Sequence, residues 1–470
     1  MTDFPKPFRY QIYERQKIVT LKRTAVIAAP GSGKTRPIVE GVNELGGFCR
    51  LVLIICSGSA IPTWRRQIPL WTRTPEYANF IQVVQDSATK RARIWKTARD
   101  SGYGTYICNA SIFYRDYETI RQIPWMAVIA DEYHKYMRNH KTSVKLKDGR
   151  TRLKTYGKFK SMTLHTEIVI PLTGSIVRRN ASSMFTAFQI CQPQIFRSYW
   201  KFVNTYCHID DEGFGQRVYG VKNVAALKEL MNRYFAYVPP EVTADELPDG
   251  RRFPIPVDLN KEQQRIYDEL DKDMISMVGE TLLLTPTILG KLTKQRQLIC
   301  CPKILDQSLG MGAGFEAIVD RLDVDDHVVI FVPFRPACDF IEAELQRLKY
   351  PHVFIMRGGV GPDEQARITE QFRQTKGIMV CTIQYAESFD LETCKTSYFL
   401  GYDLTVDQNE QAEGRTRRAI SEHEFVTWGY IKTNTSVDTH FLAKLGEDSR
   451  NAELILARPE SYIAMLRWGQ

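Results

Sequence analysis

No Cys-x-x-Cys occurs anywhere in the chain, although it holds ten cysteines, and only Cys300 and Cys301 are adjacent. That spacing excludes the common zinc sites and offers no disulfide framework, so a reducing compartment is expected. Long apolar runs are also missing. Val328-Val329-Ile330-Phe331-Val332 is among the longest, far short of the roughly 20 residues that a membrane-crossing helix needs. The start, Met1 to Pro7, lacks a signal-peptide core, which leads us to expect a soluble intracellular protein with no membrane partner. There is no low-complexity tract and no solenoid-type repeat. Charge is nearly balanced, with 63 basic against 54 acidic residues and a net +9. Such an excess favours a polyanionic partner without deciding for one. At 470 residues and 43% apolar, the chain can fill two or three ordinary cores.

What is present is concentrated in two short stretches far apart. Ala28-Ala29-Pro30-Gly31-Ser32-Gly33-Lys34-Thr35 follows the apolar run Thr24 to Ala28 and precedes a helical stretch from Pro37. Strand, glycine turn and helix, in that order, let the N–H groups around Gly31, Ser32 and Gly33 point at a triphosphate. Lys34 then meets the β/γ oxygens, and the Thr35 hydroxyl is offered to Mg²⁺. A second buried-strand run, Trp125 to Ala130, ends in Asp131-Glu132-Tyr133-His134. An acidic pair at the carboxyl end of such a strand lies where ligands of open α/β sheets collect. Asp131 is expected to hold Mg²⁺ and Glu132 to deprotonate the attacking water, with ATP as the nucleotide. The other stretch, Gln411-Ala412-Glu413-Gly414-Arg415-Thr416-Arg417-Arg418, would place Gln411, Arg415 and Arg418 on one helical face by their spacing of four and three.

The fold class follows from alternation. Buried-strand candidates at Val26 to Ala29, Leu51 to Cys56, Tyr106 to Asn109, Met126 to Asp131 and Glu167 to Thr173 are separated by helical stretches. The theme returns with Val328 to Val332, Val353 to Met356, Ile378 to Thr382, Ser397 to Tyr402 and Phe425 to Ile431. That pattern predicts βαβ units and two α/β lobes with parallel sheets. The proline-rich stretch from Val238 through Pro256 reads as a linker, which sets expected domains of 1–240 and 241–470.

Between the acidic pair and Leu172 lies an insertion, 143–154, with Asp148-Gly149 between alternating runs. This predicts a hairpin with a two-residue turn, Lys147 facing Arg150 and Lys145 facing Arg152. One basic side would then need an external anion, because like charges directly opposite destabilise a sheet.

With these motifs in this order, the chain resembles the superfamily-two helicases and translocases, most closely the Swi/Snf-like branch in the compact form found in phages and bacteria. The resemblance covers nearly the whole chain. It implies two RecA-like parallel-sheet lobes in tandem with a nucleotide cleft between them. Phe8-Arg9-Tyr10-Gln11 is similar to the entry motif, in which the glutamine reads adenine. Ile54 to Ser57 with Pro62 and Trp64 is similar to the motif that touches the nucleic-acid backbone, and Leu172-Thr173-Gly174-Ser175 to the element linking nucleotide site and DNA track. Thr382 through Glu387-Ser388-Phe389-Asp390-Leu391 occupies the place of the second lobe's nucleic-acid segment, although Ser388 stands where glycine is usual. Gln411, Arg415 and Arg418 match the arginine-finger motif, which completes the catalytic set with Lys34 and Glu132.

The expected nucleic-acid contacts are Ser57, Trp64, Lys145, Lys147, Arg150, Arg152 and Thr382. The resemblance implies an ATP- and Mg²⁺-dependent translocase or helicase acting on duplex, forked or branched DNA. Repair, recombination or replication is the implied setting, in a monomer in the cytoplasm of a bacterium or a phage-infected cell. Two alternatives stay open at this point: an RNA helicase, and an ATP-switch motor subunit of a defence or restriction complex. No nuclease or methyltransferase signature is recognisable.

Overall fold

The computed structural model describes residues 6–446 other than 138, 147, 175, 177–179, 212–215, 240, 241, 244–246, 274, 279, 280, 285, 286, 387, 388, 419, 420, 440, 441 and 444. Lys147, Ser175, Glu387 and Ser388 thus lie outside the described residues. The described chain divides into two compact units between Thr243 and Leu247.

The first unit is built on seven strands: β1 (Ala25–Ile27), β2 (Leu51–Cys56), β3 (Ile81–Val84), β4 (Gly104–Asn109), β5 (Ala127–Ala130), β6 (Ile168–Thr173) and β7 (Phe235–Tyr237). All pair in parallel, in the order β7-β1-β6-β5-β2-β4-β3. Helices connect them, and both faces of the sheet are covered, as a parallel sheet requires. The period of two along each strand sorts the side chains. Val26, Val52, Ile54, Ile129 and Ile170 enter one core. Ala25, Ile27, Leu53, Ile55 and Val128 enter the other, with Trp95 and Phe188. Each such buried aliphatic contributes roughly 1.5–3 kcal/mol, which is why the runs read as continuous rather than alternating.

The second unit repeats the plan with β8 (Asp249–Val257), β9 (Val328–Val332), β10 (Val353–Met356), β11 (Ile378–Thr382), β12 (Thr396–Phe399) and β13 (Phe425–Thr433). These are also all parallel, ordered β8-β13-β12-β9-β11-β10. All ten strand runs expected from the sequence are present in the two sheets.

The linker expectation needs correction, because residues 249–256 of the proline-rich stretch belong to the edge strand β8, paired with β13 along its whole length. Pro254 and Pro256 cannot donate to a ladder, and an edge strand with one unpaired side is where a sheet tolerates them.

The insertion forms the expected hairpin, Ser143–Lys145 against Thr151–Leu153, but one residue out of register. Lys145 faces Thr151 and Val144 faces Arg152. The Leu146 N–H donates to the Arg150 carbonyl at 2.8 Å, and the Gly149 N–H donates to the Leu146 carbonyl at 3.0 Å. This lengthens the turn by one residue, with Gly149 at φ +81° in the left-handed region, the geometry of a glycine-closed bulge turn. The Asp148 carboxylate fixes it by accepting from the Arg150 N–H at 3.0 Å and pairing with the Arg150 guanidinium at 2.6 Å. Lys145 and Arg152, expected to face each other on one basic side, therefore stand on opposite sides of the ribbon.

Candidate nucleotide site

The phosphate loop leaves β1 at Ile27 and enters the helix Thr35–Glu44. Gly31 (φ +85°) and Gly33 (φ +72°) hold left-handed backbone that L side chains resist. At Gly33 a Cβ would also sit 2.8 Å from Gln11 Nε2. The helix Arg9–Leu21 grips the loop. Tyr10 Oη donates to the Ser32 carbonyl at 2.9 Å. Gln11 Nε2 donates to the Ser32 and Gly33 carbonyls at 3.3 and 3.4 Å, while its Oε1 accepts from the Phe8 N–H at 3.1 Å. Gln11 is thus buried against the loop backbone. Lys34 Nζ donates to the Ala28 and Ala29 carbonyls, both at 2.9 Å, so its ammonium already lies across the loop.

One turn beyond Gln11, Glu14 is fully buried, and neither carboxyl oxygen has a hydrogen-bond partner among the described residues. Burial pushes it up to about 8, against the pull of the nearby Lys34 ammonium.

The acidic pair follows β5, with the Asp131 N–H donating to the Ile55 carbonyl at 2.8 Å. Burial first, then the adjacent Glu132 carboxylate, push Asp131 up to about 6, while Trp64, Lys34 and Lys135 draw it down. Trp64 needs correction as a nucleic-acid contact. Its indole is 1% exposed and donates Nε1–H to Asp131 Oδ2 at 2.9 Å, because the apolar face of the helix Ile61–Trp71 turns it inward. Trp64 is a support for the acidic pair.

Glu132 has φ +44°, a strained value for a side-chain-bearing residue of the kind that clusters at functional sites. Its Oε2 lies 3.3 Å from His134 Nδ1, which is 2.6 Å from Thr173 Oγ1 at the end of β6. The next residue, Gly174, lies so close to the phosphate loop that a Cβ there would meet Pro30 Cγ at 3.2 Å. Ser57, just beyond β2, is partly exposed, with its hydroxyl 3.1 Å from that of Ser59. The carboxyl ends of four strands, β1, β6, β5 and β2, therefore assemble the loop, Thr173, the acidic pair and Ser57 along one edge.

In the second unit Thr382 ends β11 and is 6% exposed, so it offers a nucleic acid almost no surface. The helix Val406–Thr416 is buried along most of its length, Gln411, Glu413 and Arg415 included, and is not a solvated basic face. Glu413 receives a bidentate Arg252 and the Tyr430 hydroxyl at 2.6 Å. Arg415 donates Nε–H to the Gln411 carbonyl at 3.2 Å and Nη1–H to the Phe389 carbonyl at 3.3 Å.

Arg418 corrects the expectation of one helical face, because the helix ends at Thr416. Trp428 Nε1 donates to the Thr416 hydroxyl at 3.1 Å, and Arg417 Nε to the Pro248 carbonyl at 2.7 Å; these contacts draw the chain out of helix. Arg418 pairs instead with Asp390 at 2.5 Å.

A glycine loop with a poised lysine, a helix-start hydroxyl and a buried carboxylate is a donor set suited to a nucleoside triphosphate with a hard divalent cation. Residues 13–304 match the SNF2-related domain and residues 314–420 the helicase conserved C-terminal domain. The chain belongs to the SNF2-related family, with the helicase conserved C-terminal domain following the SNF2-related one. Chromodomain-helicase-DNA-binding protein 7 of Homo sapiens and that of Gallus gallus are each 22% identical over 436 residues. The match covers 83% of this chain but only 14% of those relatives. Among solved structures, the Sulfolobus solfataricus SWI2/SNF2 ATPase core in complex with dsDNA is 16% identical, with a TM-score of 0.42 over 98% of this chain and 95% of that one. No helix among the described residues is long and apolar enough to cross a membrane.

Proposed function

We propose that the chain is an ATP-dependent translocase on duplex or branched DNA, separating or migrating strands where the DNA geometry allows it. The observation that carries this reading is the row of strand ends holding Lys34, Thr35, Asp131 and Glu132 beside Thr173. Backbone N–H groups from Gly31 to Gly33 would receive the phosphates, Lys34 would exchange the Ala28 and Ala29 carbonyls for β/γ oxygens, and Gln11 would have to leave the Ser32 and Gly33 carbonyls and the Phe8 N–H to read the base. Thr35 and Asp131 would hold Mg²⁺, which when bound neutralises charge on the β/γ oxygens. Glu132 takes the proton of the attacking water. His134, held by Thr173, orients Glu132, so the strand that ends in Thr173 senses that step.

Gln411, Arg415 and Arg418 stabilise charge on the transferred group. Arg415 and Arg418 are engaged within their own unit by Phe389 and Asp390, so each must leave that partner to act. Repair, recombination or fork remodelling by a monomer in a bacterial or phage-infected cytoplasm is the setting this reading carries.

The test is ATP turnover measured with single-stranded, duplex, forked and four-way DNA and with a matched RNA duplex. Strong stimulation by duplex or branched DNA and weak stimulation by RNA is the expected result. A preference for RNA would instead identify an RNA helicase, and hydrolysis indifferent to every nucleic acid would leave only an ATP switch.

A further inference from the structure

The excess charge of the chain is not spread over its surface. Residues 133–166, between the acidic pair and β6, hold ten Lys and Arg against the single Asp148, a net +9 that equals the formal charge of the whole chain. Everything outside these residues balances to zero. Asp148 is taken by Arg150. Lys141 and Arg152 are exposed and Lys154 partly so, and none of the three has an acidic partner among the described residues.

The hairpin is tied down at one end. Lys158 Nζ donates to the Tyr114 carbonyl at 2.8 Å and lies 3.8 Å from that ring's centroid. The Tyr114 hydroxyl in turn donates to the Leu153 carbonyl at 3.3 Å. At the other end the His140 ring stacks flat on Tyr199, 3.5 Å between centroids and 6° between planes. Burial first, then the nearby Lys141 and Lys154 ammonium groups, hold His140 below its ordinary value. Beside Tyr199, with ring centroids 5.4 Å apart, stands Trp200, 47% exposed. A large exposed indole at the end of a row of unneutralised cations is the composition of a single-strand site, where phosphates follow the cations and a base stacks on the ring.

We propose that the surface running from Arg152 through Lys154 and Lys141 to Trp200 holds a single-stranded segment of DNA, its backbone on the three cations and an unpaired base on the Trp200 indole. The proposal rests on the DNA-translocase reading and adds to it the strand and its place. It also selects between the two sides of the ribbon. Val144 faces Arg152 across the hairpin and Lys145 faces Thr151, so Lys145 lies on the side away from Arg152 and contributes little to this track.

The experiment measures binding of the full chain to labelled oligothymidylate and to a duplex of equal length across a salt series. The variants are Trp200→Ala, Arg152→Ala, the triple Lys141→Ala/Arg152→Ala/Lys154→Ala, and Lys145→Ala. Each phosphate contact to a single strand contributes about 0.7 to the log–log salt slope, so the triple variant should lower that slope by about 2. Trp200→Ala should weaken the single strand roughly tenfold with the slope unchanged and leave the duplex nearly unaffected. Lys145→Ala should behave as wild type. DNA-free ATP turnover, to which none of these residues contributes, verifies that each variant is folded.

The proposal is overturned if the folded triple variant keeps the wild-type slope, if Trp200→Ala weakens duplex and single strand alike, or if Lys145→Ala costs as much as Arg152→Ala alone. Should the wild-type chain bind no DNA, the translocase reading falls as well. If it binds and the variants do not differ, only this surface falls.

Discussion

Glu14 offers a test of the nucleotide site that can be made without nucleotide. It sits on the helix that grips the phosphate loop, fully buried, with neither oxygen hydrogen-bonded among the described residues. Its value moves from an ordinary 4.5 to about 8 on folding, burial outweighing Lys34. Between those two values the folded chain holds a proton that the unfolded chain has released, so stability falls as pH rises through this window and is level on either side. At 1.36 kcal/mol per pH unit the whole window amounts to about 5 kcal/mol. Glu14→Gln removes the titration, so the variant should gain on wild type as pH rises.

For a unit of this size 1 kcal/mol moves the melting temperature by roughly 2–4 °C. Melts at pH 5 and pH 8.5 should therefore show the difference between variant and wild type growing by roughly 10 °C. A difference that is the same at both pH values would refute the argument, because it would mean that Glu14 is ionised in the folded chain or reached by water. The titration also reaches function, since an ionised Glu14 would hold the Lys34 ammonium against phosphate. The wild-type KM for ATP should climb above pH 8 while that of Glu14→Gln stays level.

Four other substitutions divide the proposed roles. Lys34→Ala should abolish turnover and weaken nucleotide binding together, by equilibrium titration with a fluorescent nucleotide. Glu132→Gln should bind nucleotide normally and lose at least about a hundredfold in kcat; near wild-type turnover would remove Glu132 as the base. Arg418→Ala should fall roughly a thousandfold in kcat with binding retained, and unchanged turnover would mean that Arg418 serves only its pair with Asp390. Trp64→Phe deletes the N–H bond to a buried carboxylate, a loss of about 1.5–3 kcal/mol, and should raise the Mg²⁺ concentration needed for half-maximal turnover. If it changed DNA affinity at constant Mg²⁺ requirement, Trp64 would be a nucleic-acid contact after all.

The residues that chemistry must place at strand ends were legible, because an apolar run, a turn and a few obligatory side chains are all local. Gly31, Gly33, Lys34, Thr35 and Asp131-Glu132 follow directly from that logic, and so do the ten strand runs of the two sheets. What escaped depends on partners far away in sequence. Trp64 and Asp131 are 67 residues apart, and no periodicity announces that an indole will turn inward to meet a carboxylate. β8 escaped because Pro254 and Pro256 speak against a strand until the sheet supplies an edge. The end of the finger helix escaped because Trp428, twelve residues on in β13, captures the hydroxyl of Thr416, a contact that no local pattern marks. Glu14 was hidden for the opposite reason, since a glutamate beside Arg15 on a helix reads as surface.

The hairpin shows how small the missing information can be. Asp148-Gly149 names a turn correctly, yet a two-residue and a bulge-closed turn differ by a single position, and that position decides which side of the ribbon each cation occupies. Composition was more reliable than register here. A count of charges over residues 133–166 is indifferent to pairing and already isolates the whole +9, whereas the pairing is needed to say which cations share a side. The register removes Lys145 from the track, and the stacked His140 and Tyr199 lead that track to Trp200, a residue the sequence alone gave no reason to choose. If DNA affinity follows Arg152 and Trp200 but not Lys145, the function of the insertion is written in its register and not in its charge alone.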